Sequence, residues 1–122
     1  MSTNNPTKLS TAPYSMAVKA GNLIFTSGHL PIEVESGAKV SGGISEQMHQ
    51  VLRNLKQTLE DQGSSLDKIV KATVLLRNRS DWAVMNEIYA EYMGTNKPAR
   101  TAITAGDMKL GSLVEIDVVA LA

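Results

Sequence analysis

Near its end the chain reads Leu113-Val114-Glu115-Ile116-Asp117-Val118-Val119, and this alternation constrains the fold more than any other feature. β-Branched residues recurring with a period of two make a half-buried strand. Val114, Ile116 and Val118 point one way, towards a core, and Glu115 and Asp117 point the other. An earlier run, Pro98-Ala99-Arg100-Thr101-Ala102-Ile103-Thr104, also reads as a strand, with its proline at the entrance, where a missing N–H is tolerated. One guanidinium and two carboxylates therefore sit on short, otherwise apolar strands. Charge is costly to desolvate there unless it is paired or ligated. The residue pattern leaves two readings of Arg100 open. One is a structural ion pair with Glu115 or Asp117. The other is a grip on a substrate carboxylate, with Glu115 steering a water.

The rest of the chain supplies the layers around these strands. Residues 1–10 are polar and Pro-containing and read as a flexible arm. Tyr14 to Ala20 and Leu23 to Ser27 form a hairpin candidate around Gly21-Asn22. Gly28-His29-Leu30-Pro31 breaks the pattern, and residues 32–43 are loop-like. Ile44, Met48, Val51, Leu52, Leu55 and Leu59 make one helical stripe, with Ser45 as a candidate cap and Gly63 as a stop. Leu66 to Leu76 reads as a mostly buried strand. Ser80 or Asp81 then caps a second helix carrying Trp82, Val84, Met85, Ile88, Tyr89, Tyr92 and Met93, and Gly94 ends it. The order β-β-α-β-α-β-β is that of an α+β fold whose two helices cover one face of a sheet. Strand parity assigns Arg100, Ala102, Glu115, Asp117, Val119 and Leu121 to the other face. That face is too apolar for water and too polar for a core, so a subunit interface containing a pocket is expected.

Composition narrows the function classes. The 122 residues make a single domain, residues 1–122, large enough for one core. Twelve basic and twelve acidic residues cancel, and no basic stripe suits a nucleic-acid backbone. Without cysteine there is no disulfide, thiolate nucleophile or Cys-ligated zinc. His29 and His49 are too few and too separated for a metal motif, so no metal is expected. No apolar run approaches a membrane span, and the N-terminus shows neither signal-peptide nor transit-peptide character. A cytoplasmic location is the default expectation.

At Pro98-Ala99-Arg100, with Val114-Glu115-Ile116 downstream, the chain resembles the RidA/YjgF/YER057c/UK114 family of reactive-intermediate deaminases. Ala12-Pro13-Tyr14-Ser15, Phe25-Thr26-Ser27-Gly28, Gly63-Ser64-Ser65-Leu66 and Val84-Met85-Asn86-Glu87-Ile88-Tyr89 agree with it in order. The resemblance implies a chorismate-mutase-like (YjgF/L-PSP) fold and a homotrimer with clefts between subunits. It implies hydrolysis of imine and enamine intermediates, such as 2-iminobutanoate, 2-iminopropanoate and 2-aminoacrylate, to 2-keto acids and ammonia. These intermediates leak from pyridoxal-phosphate enzymes, and the hydrolase itself needs no cofactor. Arg100 matches the arginine that binds the substrate carboxylate, Glu115 the glutamate that positions the water, and Tyr14 the tyrosine that lines the cleft from an adjoining subunit. Ser27, Gly28 and Asn86 match residues that line or brace the pocket, and Ala102 stands where some members have cysteine.

Three departures bear on substrate range. His29 replaces a glutamine common after the Ser-Gly pair and is expected beside the pocket. Thr101 is larger than usual, and Gly106-Asp107-Met108 replaces a stretch often reading Ala-Arg-Leu. Taken alone, the same residues have plainer readings. Tyr14 is a hairpin aromatic, Ser27 a strand-end serine, Asn86 a helix residue with a local hydrogen bond, and Met48, Met85, Met93 and Trp82 are packing. Two other functions compete. One is a small-carboxylate binding or regulatory module without turnover. The other is the ribonuclease or translation-inhibitor role attached to the family, which the neutral charge and the lack of a two-histidine site disfavour.

Overall fold

The structure, a computed structural model, describes residues 12–122, so the expected N-terminal arm lies outside the described residues. Ala17–Ala20 (β1) and Leu23–Thr26 (β2) form the hairpin, with Ala20 opposite Leu23. Gly21 adopts φ +62°, the left-handed conformation that a two-residue hairpin turn demands at its first position. Strand β1 begins later than Tyr14, which falls in the bend before it.

Ile44–Asp61 is the first helix, α1. Met48, Val51, Leu52, Leu55 and Leu59 of its stripe are all fully buried. Its N-cap is Gly43, not Ser45; the Gly43 N–H donates to the Glu46 carboxylate at 2.9 Å. Gly63 ends the helix as expected. Its φ of +83° lets the Gly63 N–H reach the Glu60 carbonyl at 3.0 Å and the Ser64 N–H the Leu59 carbonyl at 2.8 Å. Those two bonds satisfy carbonyls that the last helical turn would otherwise leave unpaired.

Leu66–Lys68 is a short 3-10 turn, and the buried strand proper is Ile69–Leu76 (β3). Trp82–Met93 (α2) follows another 3-10 turn, with Asp81 at its N-cap and Gly94 closing it at φ +60°. Ala99–Thr104 (β4) and Val114–Leu121 (β5) complete the chain. The sheet order is β1-β2-β5-β3-β4. Only β3 and β4 run parallel, and the long connection that parallel neighbours need contains α2. Helices α1 and α2 pack on each other and on one face of the sheet, over Ala72, Val74, Val114, Ile116 and Val118. Among the described residues no helix is long and apolar enough to cross a membrane.

The register corrects one expectation. Ala72 lies opposite both Arg100 and Val118, and Val74 lies opposite both Ala102 and Ile116. Laterally paired residues share a face. Arg100 and Ala102 therefore belong to the helix-covered face. The open face holds Glu115 and Asp117, together with Thr101 and Ile103. Alternation along a strand sets which residues group together, but only pairing sets which group faces the helices. The open face also presents Val18, Phe25, Ile103 and Leu121, each between 43 and 54% exposed.

Leu52 stands at the middle of the α1 stripe with no exposed surface. Leu52→Ala is expected to cost about 2–5 kcal/mol, through lost burial and the cavity left behind. Urea unfolding of the variant at fixed protein concentration measures it.

Candidate functional site

Strand β4 is an edge strand, and Arg100 rises from it against α2. Its guanidinium carbon lies 4.9 Å from the centroid of the Tyr89 ring, and Nη1 lies 3.8 Å from Met85 Sδ. A cation over an aromatic face is held by the ring quadrupole without being neutralised. Among the described residues the one ion pair is Arg77–Asp107, at 2.9 Å on the surface. The structural ion pair considered for Arg100 is thus absent within the chain, because Glu115 and Asp117 stand on the opposite face.

Beside the guanidinium lies an open cleft of about 410 Å³, lined by Asn86, Tyr89 and Met93 of α2, by Asn96 and Lys97 of the following turn, and by Arg100. Asn96 braces that turn by donating to the Leu66 and Ile69 carbonyls at 3.2 and 3.0 Å. Asn86 therefore shares a cleft with Arg100. Tyr89, read from sequence as core, is also a cleft wall. The available signal was its helical spacing, three residues after Asn86 and four after Met85. Its hydroxyl oxygen is buried and has no hydrogen-bond partner among the described residues. Burial raises its pKa while the Arg100 charge pulls it down, so the phenol stays protonated.

A second group of residues gathers where β2 gives way to the following loop. His29 rejoins β5 as a bridge to Ile116, its N–H donating to the Ile116 carbonyl at 2.7 Å and its carbonyl accepting from the Ile116 N–H at 3.1 Å. This bridge lays the Gly28 backbone on Glu115. A Cβ on Gly28 would overlap Glu115 Oε2 and stand 2.8 Å from its carboxyl carbon, so any larger residue there would push the Glu115 side chain aside. Ser27 Oγ donates to the Ser15 carbonyl at 2.6 Å, which ties the corner to the residue after Tyr14. Tyr14 itself is 48% exposed. Burial, and then repulsion from Asp117, raises the Glu115 pKa above the usual carboxylate range. Asp117 is raised by burial too, against the pull of Lys71. A carboxylate shifted in this direction exchanges protons more readily near neutral pH.

His29 does not line a pocket. It is 1% exposed, its Nδ1 lies 2.8 Å from the Ser27 carbonyl, and its Nε2 lies 2.8 Å from Thr58 Oγ1 on α1. Its side chain turns under the sheet to α1, so the expected pocket contact for this residue is corrected. Desolvation lowers its pKa from 6.5 to about 4, against the opposing effect of the Ser27 carbonyl. Ala102 is half-buried on the Arg100 face and packs on the core. No group of three or more His, Asp or Glu side chains among the described residues could hold a metal ion.

Two expectations follow from these burial states. Tyr89→Phe removes a buried hydroxyl that has no partner among the described residues and keeps the ring under Arg100, so it is expected to be neutral or to stabilise by up to about 1–3 kcal/mol. Thermal and urea unfolding measure it. For His29, the unfolded chain binds a proton below pH 6.5 that the native state refuses until about pH 4. Its contribution is therefore lost as pH falls through that window, whereas the raised carboxylates Glu115 and Asp117 act in the opposite sense. Wild type is expected to lose roughly 3 kcal/mol more than His29→Gln between pH 7 and 4 in urea titrations.

Comparison with known proteins agrees with this architecture. The family model described as "Endoribonuclease L-PSP" matches residues 4–122. The RutC family protein PH0854 of Pyrococcus horikoshii is 46% identical over 108 residues, covering 88% of this chain and 86% of the relative. The human 2-iminobutanoate/2-iminopropanoate deaminase is 39% identical over 109 residues, covering 89% and 80%. The crystal structure of E. coli TdcF with bound serine superposes with a TM-score of 0.85 at 26% identity, covering 91% of this chain and 89% of that one. With a match across nearly its whole length, and with two helices on a mixed five-stranded sheet, the chain belongs to the L-PSP/YjgF (RidA) family.

Proposed function

We propose that this protein is a cofactor-independent hydrolase that converts 2-imino acids and their enamine tautomers, such as 2-iminobutanoate and 2-iminopropanoate, to 2-keto acids and ammonia. The observation that carries this reading is Arg100. Its guanidinium lies on the Tyr89 ring at the edge of a cleft of about 410 Å³, with no carboxylate in ion-pair contact with it among the described residues. A planar guanidinium binds a carboxylate through two parallel charge-assisted hydrogen bonds. Asn86, on the same cleft wall, supplies further hydrogen bonding, and the Ala102 backbone adjoins on the same strand.

The second half of the proposed site is the Ser27–Gly28–Glu115 corner with Tyr14 nearby. Within one chain it stands on the other face from Arg100, so the complete site is proposed to form between copies in a homotrimer. The apolar open face (Val18, Phe25, Ile103, Leu121) supplies a surface for that assembly. With the carboxylate held, the iminium carbon is presented to a water on Glu115. The water adds its oxygen to that carbon while Glu115 takes a proton from it. The proton then passes to nitrogen; as Glu115 takes the remaining hydroxyl proton the C=O bond forms, the C–N bond breaks and ammonia leaves. Raised proton affinity suits Glu115 to both transfers. A cytoplasmic setting fits the chemistry of clearing such intermediates.

The human relative's name favours turnover, and the serine bound to TdcF favours a second reading as a small-carboxylate binder. Supplying imines from a threonine or serine dehydratase and measuring ammonia and keto acid separates the two. Arg100→Ala is expected to lower kcat/KM at least about 100-fold while leaving the assembly intact on gel filtration. Full activity in Arg100→Ala overturns the role given to it. Stabilisation by 2-keto acids without any catalysed imine hydrolysis supports the binder instead.

A further inference from the structure

The geometry points to His29 as a positioning residue that holds the Ser27–Gly28 corner against Glu115. This inference rests on the hydrolase reading and deepens it, because the corner carries the water-handling half of the proposed site. His29 touches no cleft, so its influence is exerted through what it ties together.

The ring's protonation pattern follows from its partners. The Ser27 carbonyl, 2.8 Å from Nδ1, can only accept, so Nδ1 carries the proton. Nε2 is then an acceptor and takes the Thr58 hydroxyl proton across 2.8 Å. The ring thus links the residue before Gly28 to the interior of α1. Its own backbone makes two hydrogen bonds, at 2.7 and 3.1 Å, with Ile116, the residue after Glu115. One residue therefore fastens Ser27, α1 and β5 around the Gly28–Glu115 contact. That contact is close, since a Cβ on Gly28 would overlap the carboxylate where it stands. A shift of the corner therefore displaces the Glu115 carboxylate.

The requirement is a planar group with a donor at one end and an acceptor at the other. A glutamine amide meets it, donating to Ser27 and accepting from Thr58. Leucine fills similar space and meets neither end, so the ties from the ring to the Ser27 carbonyl and to Thr58 are both lost.

Steady-state kinetics per folded protein, on dehydratase-generated imine, tests this with His29→Leu, His29→Gln, Thr58→Val and Arg100→Ala. His29→Leu is expected to lower kcat about 10- to 100-fold with KM within about twofold, because the Arg100 grip stands on the edge strand β4 against α2, away from the His29 ties to Ser27 and α1. His29→Gln is expected to restore kcat to within about threefold of wild type. Thr58→Val, which frees the ring at one end, is expected to lower kcat about threefold or more, and it carries the test if His29→Leu does not fold. A role confined to stability would lower the melting temperature of His29→Leu and leave kcat per folded protein unchanged, which overturns the inference. So does a His29→Gln variant as slow as His29→Leu. If Arg100→Ala is inactive while the His29 and Thr58 variants match wild type, the positioning role alone fails. If wild type hydrolyses no imine, the hydrolase reading fails and the inference with it.

Discussion

The pairing of β4 with β3 is the constraint on which the rest of the structure depends. It sets Arg100 opposite Ala72 at the sheet's edge, on the face the helices cover. There the guanidinium meets the Tyr89 ring and the Met85 sulfur, which hold it without neutralising it. A shift of one residue would turn Arg100 to the open face beside Glu115 and Asp117. An ion pair would then satisfy the charge, and no free cation would remain for a ligand. Register thus decides between a structural and a binding arginine, with no change of sequence.

The open face follows a different logic. Glu115 and Asp117 share it with apolar side chains; burial raises both carboxylates, and repulsion from Asp117 adds to the rise of Glu115. Such a surface is stable only if something covers it or supplies counter-charge. Arg100 on the far side of the same sheet cannot do so within one chain. A second copy that brings its own edge strand could answer both needs, which is why assembly and chemistry are coupled in the proposed function.

Several elements were legible in the sequence because each depends on local physics. The α1 stripe, the Gly63 and Gly94 stops, the Gly21-Asn22 turn and the Val114/Ile116/Val118 face all appear where periodicity and backbone freedom put them. Motif resemblance assigned Asn86 and Arg100 to one pocket, and in the fold the two line one cleft. What escaped were relations between distant segments. Tyr89 looked like core because one side of its ring packs there while the other carries Arg100. His29 looked like a wall residue because its neighbours are, yet its ring turns inward to Thr58.

The sequence by itself determined the element order, the two-faced strands and the family, since those rest on residue type, spacing and chain-local conformational preference. The tertiary structure alone decided that Arg100 and Glu115 part company across the sheet, that the Glu115 carboxylate lies against the Gly28 backbone, and that His29 is a buried tie. Those facts depend on which strand pairs with which and in what register. Nothing local in a chain of residues encodes that phase; it emerges only when separate segments compete for the same core.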